Sequence, residues 1–379
     1  MKRATTTLAD DRQLKLGLFG ANCSAGITMT MVPERWDASW EHNLALARLA
    51  DARGLDFLLP IARWRGYGGL TDPNGYSLET LAWAAGLLAA TRRITVFATV
   101  HAPLVHPVFA AKQLATIDHI GRGRLGLNIV CGWNPEEFAM FGGSHRAQAD
   151  RYAHGREWYE IIRRLWAESE PFDYHGRYFD LQGAVCTPKP YAGSELITMN
   201  AGRSEAGRQF AVETVDCLFT GIENLDTADQ VVADVRRRAA AVGRPIDVYS
   251  VAYVVCRPTQ KEAEDYLHYY AVEHRDEASL EKFRTINPSE GDTNARLARW
   301  AAGHGGFPAV GDPDRVAEIL ARVHRAGYAG LALGFVNYLD ELPYFCDEVM
   351  PRLERLGVRR STTGADGEGD GGTHAMARY

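Results

Sequence analysis

The sequence predicts a closed (β/α)8 barrel. Eight apolar runs of strand length recur along the 379 residues, and nearly all are followed by a helical pattern. The first run is not followed by a Gly-x-Gly-x-x-Gly turn, which argues against a dinucleotide-binding sheet. No linker-like break divides the chain. One domain is therefore expected over 14–358, between a flexible N-terminus at 1–13 and a glycine-rich, polar, disordered tail at 359–379.

The strands are expected at 14–20, 55–61, 93–100, 124–130, 196–200, 216–220, 246–256 and 330–337. A long loop rich in small residues, 21–36, follows the first. Helices are expected at 38–53, 78–91, 107–120, 153–167, 228–242, 261–271, 312–325 and 344–356. Pro107 and Asp312-Pro313 are start signals, because proline suits a first helical turn and aspartate caps one. The run 172–181 reads as a hairpin with His175-Gly176 at its tip. The stretch 275–310 lacks strong periodicity and is too long for an ordinary connection, so it reads as an insertion or lid.

Bulk composition excludes several classes. Hydrophobic residues make up 46% and charged residues 24%, so a real core is expected. A formal net charge of -6 argues against general nucleic-acid binding, which needs a basic surface. The six cysteines are scattered without a Cys-x-x-Cys pair, as in a reducing cytosol. Residues 1–13 lack the apolar centre of a signal peptide, and no apolar run reaches bilayer length. A cytoplasmic protein without membrane or nucleic-acid partners is expected.

The stretch around which the chain is organised is Asp118-His-Ile-Gly-Arg-Gly-Arg-Leu-Gly-Leu-Asn-Ile-Val-Cys-Gly-Trp133. It reads as helix, tight turn, buried strand, then a polar and aromatic loop. Asn128 interrupts the buried strand with an amide that must find partners. Unusual residues also mark other strand ends: 59–63, Thr99, Trp133 to Glu137, and 202–204. In a barrel of parallel strands such ends converge on one mouth. Glycines beside Ser204 before a helix suit a phosphate, and Arg151 and Tyr152 can add a charge and a phenol. Trp133 and Tyr67 offer flat faces to a planar ring. Each has a blander reading: Ser204 as an N-cap, Arg151 as a surface ion pair, Glu136 and Glu137 as solvated charges, His101 as a packed core histidine. No metal-ligand spacing is present, and a catalytic metal is not expected.

Taken together, Arg-Gly-Tyr-Gly-Gly (65–69), Asn-Ile-Val-Cys-Gly-Trp (128–133), Asp-Arg-Tyr (150–152) and Ala-Gly-Arg-Ser (201–204) resemble the bacterial luciferase-like flavin-dependent monooxygenases. The resemblance runs from Leu14 to Arg355, and is nearest the pyrimidine, dimethylsulfone and alkanesulfonate monooxygenase branches. It implies a luciferase-like TIM barrel and an FMNH2-dependent, two-component monooxygenase. Reduced FMN and O2 would be substrates, and a separate NAD(P)H:flavin reductase a partner. A small amide, heterocycle or organosulfur compound would be oxygenated or cleaved through a flavin peroxide. The resemblance places flavin contacts on Ala62, Arg63, Asn128, Glu137, Arg151, Tyr152 and Ser204. It places the oxygen pocket on Leu59, Thr99 and Asn128, and it implies a homodimer or tetramer. The alternative within the same fold is a deazaflavin (F420)-dependent hydride-transfer oxidoreductase. Residues 21–36 and the stretch after Arg275 match the family poorly, and these are where substrate contacts would lie.

Overall fold

The structure, a computed structural model, describes residues 7–8, 13–143, 146–288 and 293–360. The elements in order are β1 (Lys15–Phe19), α1 (Trp40–Ala52), β2 (Phe57–Leu59), α2 (Thr80–Ala90), β3 (Thr95–His101), α3 (Pro107–Gly121), β4 (Leu125–Val130), α4 (Pro135–Met140), α5 (Gln148–Ala167), β5 (Phe172–His175) and β6 (Asp180–Ala184). There follow β7 (Ile197–Asn200), α6 (Glu205–Thr214), β8 (Cys217–Phe219), α7 (Ala228–Ala241), β9 (Asp247–Cys256), α8 (Gln260–His268), α9 (Glu277–Ile286), α10 (Thr293–Gly303), β10 (Phe307–Gly311), α11 (Pro313–Arg325), β11 (Gly330–Gly334), α12 (Tyr338–Glu348) and α13 (Met350–Arg355).

Eight parallel strands close the barrel in the order β1-β2-β3-β4-β7-β8-β9-β11, with β11 returning to β1. These are the eight strands read from the apolar runs. A ninth strand, β10, pairs in parallel with the far half of β9, from Ala252 to Cys256, beyond the short stretch that β8 occupies. The two-stranded β5–β6 ribbon stands apart, its turn at the expected tip.

Two apolar layers hold the structure together. One lies between barrel and helices and includes Leu16, Leu46, Leu87, Leu114, Ile129, Leu165 and Leu320, all essentially fully buried. Each such side chain stabilises by about 1.5–3 kcal/mol relative to exposure. The other fills the barrel interior, where Phe57 meets Phe97 and Tyr249 edge-on, at 6.0 and 5.7 Å between centroids. Gly17 and Gly126 make room for them: a Cβ at either would lie 2.4–2.5 Å from the ring of Phe57 or Phe97. The barrel floor is thus plugged, and open space is left toward the C-terminal strand ends.

Several expectations need correction. The stretch 275–310 is not irregular: its described residues form α9, α10 and most of β10, packed by Leu280, Phe283 and Trp300 against Tyr67 and Met29. Its periodicity was masked because polar and charged residues dominate its outer faces. The chain does not come loose at 359. The Arg359 guanidinium is buried against the Asp56 carboxylate at 2.5 Å and also donates to the carbonyls of Leu14 and Gly54. Nor is the whole segment before 14 free. Leu8 is buried, and the Thr7 hydroxyl donates to the Asp56 carbonyl at 2.7 Å. The remainder of 1–12 and all of 361–379 lie outside the described residues. The last helix is two, α12 and α13, and α12 already begins at Tyr338. Among the described residues, no helix is long and apolar enough to cross a membrane.

Candidate active site

The C-terminal strand ends surround a cavity of about 430 Å3. β2 and the turn after it supply Leu59, Pro60, Ile61, Ala62 and Arg63; β3 supplies Thr99 and His101; β4 and its loop supply Asn128 and Trp133. Tyr152 comes from the first turn of α5, Ser204 from the start of α6, and Trp300 and His304 from the end of α10.

Asn22 fixes the wall beyond β2. Its amide accepts from Ile61 N at 2.9 Å and donates to the carbonyls of Ile61 and Leu78 at 2.8 and 3.1 Å. A fully buried amide bonded on both sides specifies one backbone path for the turn.

Thr99 and Asn128 stand directly opposite in the β3–β4 register, so their side chains leave the sheet on the same side. The Asn128 amide donates to Thr99 Oγ1 at 3.1 Å, and that hydroxyl donates to the Pro60 carbonyl at 2.7 Å. Asn128 Oδ1 is buried with no partner. An amide oxygen without a partner carries a desolvation cost, and a ligand N–H at this spot would remove it. Leu59, 1% exposed, keeps the adjoining wall apolar.

The other end of the cavity meets the start of α6. Ser204 caps α6 by accepting from Gly207 N at 3.1 Å, so its bland reading is correct as far as it goes. Tyr152 stands beside it in the same cavity wall. A Cβ on Gly207 would lie 2.6 Å from Tyr152 Oη, and one on Gly202 would lie 2.8 Å from Asn200 Oδ1, itself buried without a partner. Gly202 and Gly207 thus pack backbone to backbone, a Cβ on Gly202 lying only 2.7 Å from the Gly207 carbonyl, beside a helix N-terminus where backbone dipoles favour negative charge.

Two of the expected contact residues do not line the cavity. Glu137 lies behind Arg63, with the guanidinium 3.7 Å from its carboxylate; it also accepts from Trp64 N at 2.9 Å. Arg151 turns away, donating to the Arg146 carbonyl at 2.6 Å, although its Nε is buried with no partner. Ala62 and Arg63 do face the cavity. Arg63 lies 5.1 and 5.2 Å from the rings of Tyr67 and Trp133 and donates to Tyr67 Oη at 2.9 Å. Tyr67 itself is 1% exposed and backs Arg63 rather than the cavity.

The structure adds residues that sequence reasoning missed. Trp300 stacks on Phe283 at 3.9 Å, and His304 lies 4.2 Å from Trp300 and 5.7 Å from Phe19. His304 holds φ at 53°, in the left-handed region that non-glycine residues seldom occupy. Burial, then the Arg63 charge, presses its pKa down to about 3. The same two causes bring His101 to about 4, so both imidazoles are neutral at pH 7. No local pattern in 275–310 marks these residues, and His304 reaches the cavity only because the chain turns left-handed just after α10.

A family model described as luciferase-like monooxygenase matches residues 15–330. The chain belongs to this family. It is an enzyme of a flavin-dependent monooxygenase family with a luciferase-like TIM barrel. An FMNH2-dependent dimethylsulfone monooxygenase of Pseudomonas fluorescens (strain Pf0-1) is 28% identical over 91% of this chain and 96% of its own. The pyrimidine monooxygenase RutA of Allorhizobium ampelinum is also 28% identical, over 89% and 96%. Among solved structures, the long-chain alkane monooxygenase LadA superposes with a TM-score of 0.81 at 20% identity over 92% of each chain. An F420-dependent secondary alcohol dehydrogenase shares the fold with a TM-score of 0.68 at 18% identity, over 90% of this chain and 99% of that one.

The residues present fit a flavin mononucleotide. The cavity lies within the roughly 300–1,000 Å3 usual for such ligands. It carries an unpaired amide oxygen and apolar walls at one end and a glycine–serine–tyrosine cradle at the other.

Proposed function

We propose that this luciferase-like enzyme is a two-component monooxygenase that takes reduced FMN from a separate NAD(P)H:flavin reductase. It oxygenates or cleaves a small amide, heterocycle or organosulfur compound. The observation that carries the reading is the Thr99–Asn128 pair. It places a hydroxyl and an unpaired amide oxygen beside apolar Leu59, in the same cavity as a phosphate cradle. Bound reduced FMN supplies the electrons that activate O2. The protein's part is to bind, orient and keep out water. Ser204, Tyr152 and the α6 N-terminus hold the phosphate. Trp133 and Trp300 give planar apolar walls; Thr99, whose own proton goes to the Pro60 carbonyl, holds the Asn128 amide, and the second amide N–H offers a hydrogen bond where oxygen would enter. Arg63, braced by Glu137 and Tyr67, contributes a fixed cation to the same wall. Arg151 adds charge behind the cradle, and the functional unit is a homodimer or tetramer.

The test is anaerobic binding of reduced FMN to the full chain, followed by one rapid mix with oxygen while the flavin spectrum is recorded. Saturable binding with substrate-dependent O2 consumption is the expected result. Binding of the deazaflavin but not of FMN would transfer the protein to hydride-transfer chemistry, in which oxygen plays no part.

A further inference from the structure

We propose that the cleft between the first turns of α6 and α7 is a second binding site, for a compact oxyanion such as a phosphate, sulfonate or carboxylate group. The cleft has a volume of about 160 Å3, too small for a ring system of cofactor size. It opens beside the main cavity: Arg203, Thr220 and Gly221 line both.

Two observations point to an anion. Arg203 and Arg208 both reach the cleft, and neither side chain has a hydrogen bond or ion pair among the described residues. Tyr328 also lines it; the residue is 0% exposed, yet its Oη is buried with no partner, as is Arg208 Nε. A ligand with several acceptor oxygens would satisfy both arginines and the phenol at once.

Neighbouring acids do not cancel the charge. Glu205 is held by Arg238 and Asp226 by Arg322, leaving exposed Glu223 as the carboxylate on the wall. Two solvated surface arginines would account for the cations, but not for a phenol buried without a partner. The cradle at Ser204 and Tyr152 is separate, so the site does not depend on the flavin reading.

The anion is either a free ion or the charged end of a molecule reaching in from the main cavity. Titration calorimetry on the full chain at fixed ionic strength, with sodium phosphate and separately with phenyl phosphate, distinguishes the two. Phosphate should bind saturably with a Kd on the order of 1 mM or tighter. Binding should weaken roughly tenfold in Arg208→Met, weaken in Tyr328→Phe, and persist in Ser204→Ala. Tighter binding of phenyl phosphate assigns the tethered source, and equal binding the free ion. Absence of saturable phosphate binding overturns the proposal. So does binding that survives both the Arg208 and Tyr328 changes in folded protein, or loss on Ser204→Ala, which would assign the anion to the cradle. Tyr328→Phe removes one oxygen from a packed ring, so it keeps the test valid if the arginine variant does not fold.

Discussion

The Asn128 amide donates to the Thr99 hydroxyl at 3.1 Å across the β3–β4 ladder, and its own oxygen stays buried without a partner. Asn128→Ala removes that donor and acceptor but touches neither the phosphate cradle nor the aromatic walls. Oxygen transfer should fall by about 10²–10³-fold, the usual loss on deleting one aimed hydrogen-bond donor. The FMN Kd should change little. Rapid-mix turnover and an anaerobic FMN titration measure the two separately; equal losses in both would contradict the assignment.

Arg63 and Glu137 form a charge pair with both side chains 3% exposed. Glu137→Ala leaves a buried guanidinium without its carboxylate and frees Trp64 N, so a loss of about 3–5 kcal/mol is expected. Arg63→Met in the same chain should recover part of it, because two matched apolar changes remove the orphaned charge. Urea unfolding of the single and double variants gives the coupling. Strict additivity would show that the 3.7 Å approach carries no interaction.

The barrel was legible because its strands are buried on both faces and therefore read as mainly apolar runs with few polar interruptions. Leu125 to Val130 and Thr95 to His101 are examples. β10 was not legible: Phe307–Gly311 holds a proline and ends in glycine, and it becomes a strand only because the far half of β9 offers it an edge. The cavity lining was legible at strand ends, as at Leu59, Thr99 and Asn128, and at Ser204 before α6. It was illegible where tertiary packing sets the direction of a side chain. Nothing near Glu137 in sequence says that Arg63, 74 positions earlier, stands between it and the cavity. Nothing near His304 says that it meets Phe19.

Arg359 and Asp56 bridge the start of β1, the turn before β2 and the last residues of the described chain. Asp56 also accepts from Leu16 N at 2.8 Å. Arg359→Ala should destabilise by about 3–5 kcal/mol, as for any buried carboxylate that loses its cation. The urea midpoint should fall without a change in slope. A shift below about 1 kcal/mol would place the guanidinium in water and restore the tail boundary at 359.

Stability should fall in mild acid for a specific reason. His101 and His304 have folded pKa values of about 4 and about 3, below the ordinary 6.5. The unfolded chain therefore binds more protons between those values and pH 6.5. Stability is unaffected above that range and declines as pH drops through it, by up to about 1.4 kcal/mol per pH unit for each imidazole. His304→Gln should flatten the slope of thermal midpoint against pH between about 3.5 and 6. An unchanged slope would mean that water reaches the ring.

The phosphate cradle can be tested apart from the ring slot. In Gly207→Ala the new Cβ would sit 2.6 Å from Tyr152 Oη and 2.8 Å from the Gly202 backbone, so Tyr152 or the 202–204 turn must shift. Gly207 lies within α6, where alanine is favoured by roughly 0.5–1 kcal/mol, so the helix itself tolerates the change. The contacts with Tyr152 and Gly202 oppose that gain. Reduced FMN should bind at least about tenfold more weakly, whereas reduced riboflavin, which lacks the phosphate, should bind as it does to the unaltered chain. Parallel titrations with the two flavins separate the possibilities. A matched loss for both would show that the substitution distorts the ring slot, and a loss for neither would move the phosphate away from Ser204 and Tyr152.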